Sequence, residues 1–169
     1  MPRKSVNLKV KKARGLQISD LLLDARNVQI LALLAGNPRM SVSELARGVG
    51  MSAPATRERI QRMEEAGVIR GCRLEMDPAA LGYPITAFIR VRPMPGKLPK
   101  IAELALAMPQ VTECHRITGE DCFVLKVSLD SLDNLDVILD QFLVYGQTTT
   151  SIVQSTPVAP RHLPLPGKR

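Results

Sequence analysis

The residues of this chain with the most chemistry to offer gather in one stretch, RITGEDCFVLKV, Arg116 to Val127. Here Gly119, Glu120, Asp121 and Cys122 stand side by side between two apolar alternating runs, and Cys114 and His115 lie just upstream. Thiols, an imidazole and two carboxylates are the donor types of a zinc site, and a thiol with a base is a nucleophile. The spacing argues against both readings. On a strand Cys114 and His115 point to opposite faces, and Cys122 begins the next strand. A thiol also needs its base in reach rather than merely next to it in sequence. Cys72, Cys114 and Cys122 are odd in number and show no C-x-x-C spacing, so neither a disulfide framework nor a zinc knuckle is indicated. No catalytic residue, metal or cofactor is therefore expected, and His115 reads as a half-exposed strand or interface residue. Reduced thiols fit a cytoplasmic protein.

A second group is cationic. Arg57, Arg59 and Arg62 crowd the segment that begins at Ser52, inside a front half that holds all of the excess charge. Residues 1–20 carry six basic side chains and one acidic, residues 21–71 seven and five, and residues 72–169 ten of each, so the net +7 belongs to the first 71 residues. A basic front joined to a neutral back suggests that one part meets a polyanion while the other does something else. With 3% aromatic residues and no Trp, the chain lacks the rings on which single-stranded bases would stack. No apolar stretch follows the basic N-terminus as a signal peptide requires, and none approaches the ~18 residues of a membrane span, so no membrane partner is expected.

The elements that must position these residues can be read from caps and periodicity. Asp24 is placed to cap a helix through ARNVQILALLAG, ended by Gly36, Asn37 and Pro38. Ser41-Val-Ser-Glu44 is a capping box opening a short helix with Leu45, Ala46 and Val49, closed by Gly48 and Gly50. Ser52 caps the next helix, which tolerates Pro54 in its first turn, turns Thr56, Ile60 and Met63 inward and stops at Gly67. Two helices joined by a short Gly-containing turn, the second rich in Arg, have helix-turn-helix spacing, which an ordinary helical hairpin shares. VIRGCRLEM reads as a short ribbon and DPAALG as a turn.

Beyond that turn the period changes. Pro84 to Arg92 alternates as a strand, 97–108 is helical, and Val111 to Thr118 and Cys122 to Leu129 are strands around a tight turn at Gly119. Ser131 caps a helix that Gly146 stops, and Thr148 to Ser155 is a last strand. This β-α-β-β-α-β order is a ferredoxin-like split βαβ sandwich, an α+β fold. Helices cover one sheet face, and two copies packed sheet to sheet would hide the other, so a homodimer is expected. The domain boundaries read as a basic arm over 1–19, a helix-turn-helix domain over 20–71, a ribbon and linker over 72–83, the sandwich over 84–156 and a Pro-rich tail over 157–169.

LDARNVQILALLAGNPRMSVSELARGVGMSAPATRERIQRMEEAGVIRG, followed by LEMDPAALGYPITAFIRVR, VTECHRITGE, VLKV and TTTSIV, resembles the Lrp/AsnC (leucine-responsive, feast/famine) transcription regulators from Leu23 to about Val153. The resemblance implies a winged helix-turn-helix that binds double-stranded DNA, joined to a RAM-type sandwich that dimerises and often senses an amino acid. Such proteins commonly build tetramers or octamers from dimers. It places the helix from Ser52 in the major groove, with Ala53, Pro54, Ala55, Arg57 and Glu58 near base edges and Arg57 the most capable of them. Arg59 and Arg62 hold phosphates or brace the fold, and Arg39, Arg47, Arg70 and Arg73 are further phosphate candidates.

In the sensor domain the family usually carries Gly-x-x-Asp at the hairpin, the Asp holding an effector's amino group. Here Gly119 matches, but the Asp position is Cys122, and Asp121 stands one residue early. A one-residue offset on a strand edge turns a side chain the other way. Asp121 or Glu120 then substitutes through a reshaped turn, or the effector is not an ordinary amino acid, or none is used. The expected pocket is Thr118, Gly119, Glu120, Asp121 and Cys122 with Thr149 or Ser151. Siroheme decarboxylases share the two-domain plan and are the enzyme alternative. Their aromatic strand of Tyr-Asn-Leu-Trp-Phe type is replaced here by Cys122-Phe-Val-Leu.

Overall fold

The structure is a computed structural model that describes residues 22–166. The basic arm therefore lies outside the described residues. The described residues form two compact units, one comprising residues 22–73 together with 160–166, the other Leu74–Ala159.

In the first unit each helix begins where a capping side chain meets its orphan N–H groups. Helix α1, Ala25–Gly36, starts at Asp24, whose carboxylate accepts the Asn27 N–H at 2.8 Å. Helix α2, Val42–Val49, opens with a complete capping box. The Ser41 hydroxyl accepts from the Glu44 N–H, and the Glu44 carboxylate accepts from the Ser41 N–H at 2.7 Å. Gly50, in the left-handed region at φ 64°, ends α2 and starts the turn. Helix α3, Ala53–Glu65, is capped by Ser52 and carries Pro54 in its first turn, where a missing N–H costs no helical bond. The three helices close over Ile30, Val49 and Met63, with Leu45 and Ala46 also buried. Thr56 is buried in α3 and donates its hydroxyl to the Ser52 carbonyl at 3.0 Å.

The ribbon expected over Val68–Met76 is not a strand: the segment pairs with no other among the described residues, and residues 70–76 are exposed. An extended segment gains a ladder only from a partner strand, and no strand among the described residues pairs with this one. DPAALG does turn, with Asp77 accepting the Ala79 N–H ahead of a 3-10 turn, Ala79–Leu81.

The second unit runs β1 (Ile85–Pro93), α4 (Leu98–Ala107), β2 (Val111–Arg116), β3 (Phe123–Leu129), α5 (Asp133–Leu143) and β4 (Gly146–Ile152). The sheet is antiparallel in the order β2-β3-β1-β4, so the two β-α-β halves interleave as the sandwich reading requires. Ala87, Ile89 and Val91 of β1 and Phe123, Leu125, Val127 and Leu129 of β3 bury one face under Ile101, Ala105, Leu135, Ile138 and Phe142 of the helices. A fully buried side chain of this size contributes about 1.5–3 kcal/mol. The opposite face carries Phe88, Arg90, Arg92, Thr149 and Ser151, all exposed.

Two sequence-based expectations need correction. Gly146, expected to stop a helix, is the first residue of β4, because a Cβ there would fall 2.5 Å from the Arg92 carbonyl oxygen where β4 meets β1. The strand ends at Ile152 rather than Ser155. Helix α5 starts at Asp133, and its N-cap residue is Leu132, which makes no side-chain cap; the Ser131 hydroxyl reaches only the Asn134 N–H, at 3.4 Å.

Candidate DNA-binding surface and effector site

The arginines of α3 fall into three environments. Arg57 is exposed and makes no side-chain hydrogen bond or ion pair among the described residues, as do Arg39, Arg47 and Arg70. Arg62 is exposed too, but it pairs with Glu58 one turn back at 2.5 Å. Arg59 turns inward: its Nη1 lies 2.5 Å from Asp24 Oδ2 and 3.1 Å from Asn27 Oδ1, and Asn27 is itself anchored by donating to the Leu22 carbonyl at 2.8 Å. This ties the middle of α3 to the start of α1. Burial raises the Asp24 carboxyl, but the Asn27 N–H and the Arg59 guanidinium outweigh it and hold the group below its usual range. A second tie, from the Arg26 guanidinium to the Val49 carbonyl, joins α1 to the end of α2.

Pro54, Arg57 and Glu58 fall at helical spacing on one exposed stripe, while Ala53 and Ala55 are half-buried beside it and Ser52 is occupied as the cap. Gln61 completes the stripe, exposed and bonded to Glu65 at 2.8 Å. Sequence reasoning missed it, although its position four residues after Arg57 was the available signal.

The hairpin resolves differently. Gly119 turns the chain at φ 108°. Cys122 anchors the turn by its backbone, donating its N–H to Val91 O at 3.0 Å and accepting from Ile117 N–H at 2.9 Å, while its side chain packs against the sandwich core. Thr118, Gly119 and Glu120 are exposed. Asp121 Oδ2 lies 3.7 Å from Arg90 Nε, and Glu120 pairs with Arg92. Both arginines come from β1 and were absent from the sequence-based pocket. Their side of β1 was legible from its alternation, but their pairing with a turn about thirty residues later was not. Thr149 is the cross-strand neighbour of Arg90, and Ser151 that of Phe88. Asp121, Arg90 and Thr149 are thus brought together, with Ser151 one step further along the same face.

Among the described residues no three His, Cys, Asp or Glu side chains converge as metal ligands. Glu113 is engaged by Lys126 at 3.3 Å and His115 at 3.4 Å. Burial raises its carboxyl, yet these two partners hold it low. The Cys114 thiol, exposed on β2 beside α4, is pushed up by partial burial.

Two family models match this arrangement unit by unit: a winged helix-turn-helix DNA-binding domain over residues 23–70 and an Lrp/AsnC ligand binding domain over residues 86–163. The uncharacterized HTH-type transcriptional regulator YezC of Bacillus subtilis is 36% identical over 134 residues, which is 79% of this chain and 95% of that protein. The chain belongs to the Lrp/AsnC family. The solved structure of AsnC from Escherichia coli is 30% identical with a TM-score of 0.74, covering 82% of this chain and 97% of that one. A transcriptional regulator of Neisseria meningitidis, solved as its complex with L-methionine, is 27% identical with a TM-score of 0.76, covering 85% and 97%. This Lrp/AsnC chain is accordingly a DNA-binding transcription regulator with a ligand-binding-type sandwich. No helix among its described residues is long and apolar enough to cross a membrane.

Proposed function

We propose that the exposed stripe at the start of α3 reads operator bases in the major groove, with Arg57 the principal base contact and Ser52, Ala53, Pro54, Ala55 and Glu58 set around it. The observation that carries this reading is the contrast within α3: the guanidinium of Arg57 is unpaired among the described residues, while carboxylates tie Arg59 and Arg62. An Arg fork near the start of a recognition helix is suited to guanine O6 and N7. Arg62, Arg39, Arg47 and Arg70 hold phosphates in this reading, and Arg59 braces the helix. Anisotropy titrations against several promoter fragments test it. Arg57→Ala changes the ranking of sequences, whereas Arg62→Ala weakens all of them alike and lowers the salt slope by about 1. Two variants that both bind like wild type would remove the placement.

The second half of the reading is regulation by a free amino acid bound at the hairpin, among Thr118, Gly119, Glu120, Asp121, Cys122 and Thr149 or Ser151. The L-methionine complex of the Neisseria relative and the paired charges of the turn support it. Thermal-shift measurements with the twenty amino acids check it, and the absence of any shift leaves a regulator with another metabolite or none. The open sheet face, with Phe88 at its centre, supports pairing of two copies into a dimer that assembles further into tetramers or octamers. The protein works in the cytoplasm at its promoters. We assign no reaction to it; the relatives reported above are named as regulators.

A further inference from the structure

We propose that the trough between α4 and β2 binds a free medium-chain fatty acid anion, its carboxylate held by Arg116 and its hydrocarbon tail laid along α4. The trough lies on the helix-covered side of the sheet, opposite the face that carries Arg90 and Thr149, so the inference stands apart from the effector reading.

Strand order and register create the trough. β2 is an edge strand, paired only with β3. Cys114 lies opposite Leu125 and Arg116 opposite Phe123, both buried under the helices, so these two β2 side chains share the core-facing side. α4 does not seal them. Toward β2 it presents Ala102 and Ala105 between Leu98 and Leu106, and the short side chains leave a space of about 660 Å³, within the roughly 300–1,000 Å³ usual for small-molecule sites.

The two ends of the trough differ in chemistry. A short connection joins α4 to β2, so helix and strand run in opposite directions, with the start of α4 toward Arg116 and Leu106 toward Val111. From Leu98 to Leu106 the helix rises about 12 Å, room for an extended chain. The first end is positive. Arg116 is exposed and makes no side-chain hydrogen bond or ion pair among the described residues. The N-cap of α4, Lys97, supplies no side-chain cap, so the positive end of the helix dipole reinforces the guanidinium. The far end is apolar, and Leu106 there is 88% exposed, a surface that a tail would cover.

The polar groups that remain are already engaged. Glu113 is the one acid lining the trough among the described residues, and Lys126 and His115 hold it. The Thr112 hydroxyl donates to the Lys126 carbonyl at 3.2 Å. One unpaired cation and otherwise hydrocarbon and a thiol suit a chain with a single anionic head. An ammonium or a peptide's row of amides finds no matching partners there.

Calorimetric titration of the full chain with decanoate, decanol and decylamine tests this. Wild type is expected to bind decanoate about fivefold or more tightly than decanol, and decylamine least. Arg116→Gln should erase the preference for decanoate without changing decanol binding, and Arg116→Lys should restore it. Ala102→Leu, which fills the trough, should weaken both ligands. Cys114 serves as a reporter: decanoate should slow its alkylation by iodoacetamide while leaving the exposed Cys72 at its own rate. An Arg116→Gln protein that keeps the full preference overturns the proposal, and so does decylamine binding as tightly as decanoate, since any apolar chain would then adhere. Wild type that binds none of the three overturns it as well; if Leu106→Glu then lowers the oligomeric state, the trough is an interface between copies.

Discussion

The two units solve the same problem, how to hold charged side chains in place for a partner, with different resources. The helical unit has a thin core, centred on Ile30, Val49 and Met63, and it supplements that core with polar ties, Arg59 to Asp24 and Asn27 and Arg26 to Val49. The sandwich has a larger core, and it leaves an entire sheet face free of packing duty. In the helical unit the bracing arginine, Arg59, and the arginine proposed to read bases, Arg57, are different residues, two positions apart on α3. In the sandwich the candidate ligand groups are themselves the ties of the turn. Separating the two roles allows a rigid reading head, whereas merging them makes the turn responsive to whatever displaces the pair.

The largest test of this contrast is Met63→Ala. It empties the centre of the thin core and should cost about 2–5 kcal/mol. By calorimetry the helical unit should melt earlier while the sandwich transition stays in place; a single shifted transition would show that the two units share one cooperative core. Next is Arg57→Ala, expected to cost about 1–3 kcal/mol of discrimination at one operator position, with the melting curve unchanged. If instead the melting temperature falls, reading and bracing are not separate in α3.

Asp24→Asn is the third. The folded carboxyl of Asp24 is held below its ordinary value of 3.8, so its contribution is fully present above that value and is lost as pH falls through the lower folded one. The side chains of the pair are 32% and 41% exposed, so solvent screening limits the effect to about 1 kcal/mol. Wild type should lose that increment as pH falls below 3.8, and the Asn variant should show a flatter acid limb; parallel acid limbs would disprove the brace. Smallest is Glu120→Gln. Its exposed pair should be worth less than about 0.5 kcal/mol, so urea midpoints should barely move while amide exchange at the turn quickens.

Much of the fold was legible because its signals are local. Asp24, the Ser41–Glu44 box, Ser52 and Gly50 each act within a turn of their own position, and the alternation of Pro84 to Arg92 marked β1 as a strand. The failures have a common physical source. The ribbon over Val68–Met76 had strand composition but no partner, and Gly146 looked like a helix stop because its true constraint, the Arg92 carbonyl, lies over fifty residues away. The candidate site shows the same division. Arg57 was visible as a cation near a helix start, whereas the inward turn of Arg59 depended on Asp24, 35 residues upstream.

By itself the sequence determined the element order, the caps, the charge asymmetry and the family, since each is written in neighbouring residues or their periodicity. Only the tertiary structure decided which charges are engaged. It drew Arg59 into a brace and left Arg57 outside, turned the Cys122 side chain onto the core, and brought Arg90 to 3.7 Å from Asp121. Ion pairs and strand registers join residues distant along the chain. Their partners are chosen by how the elements pack, which no local pattern records.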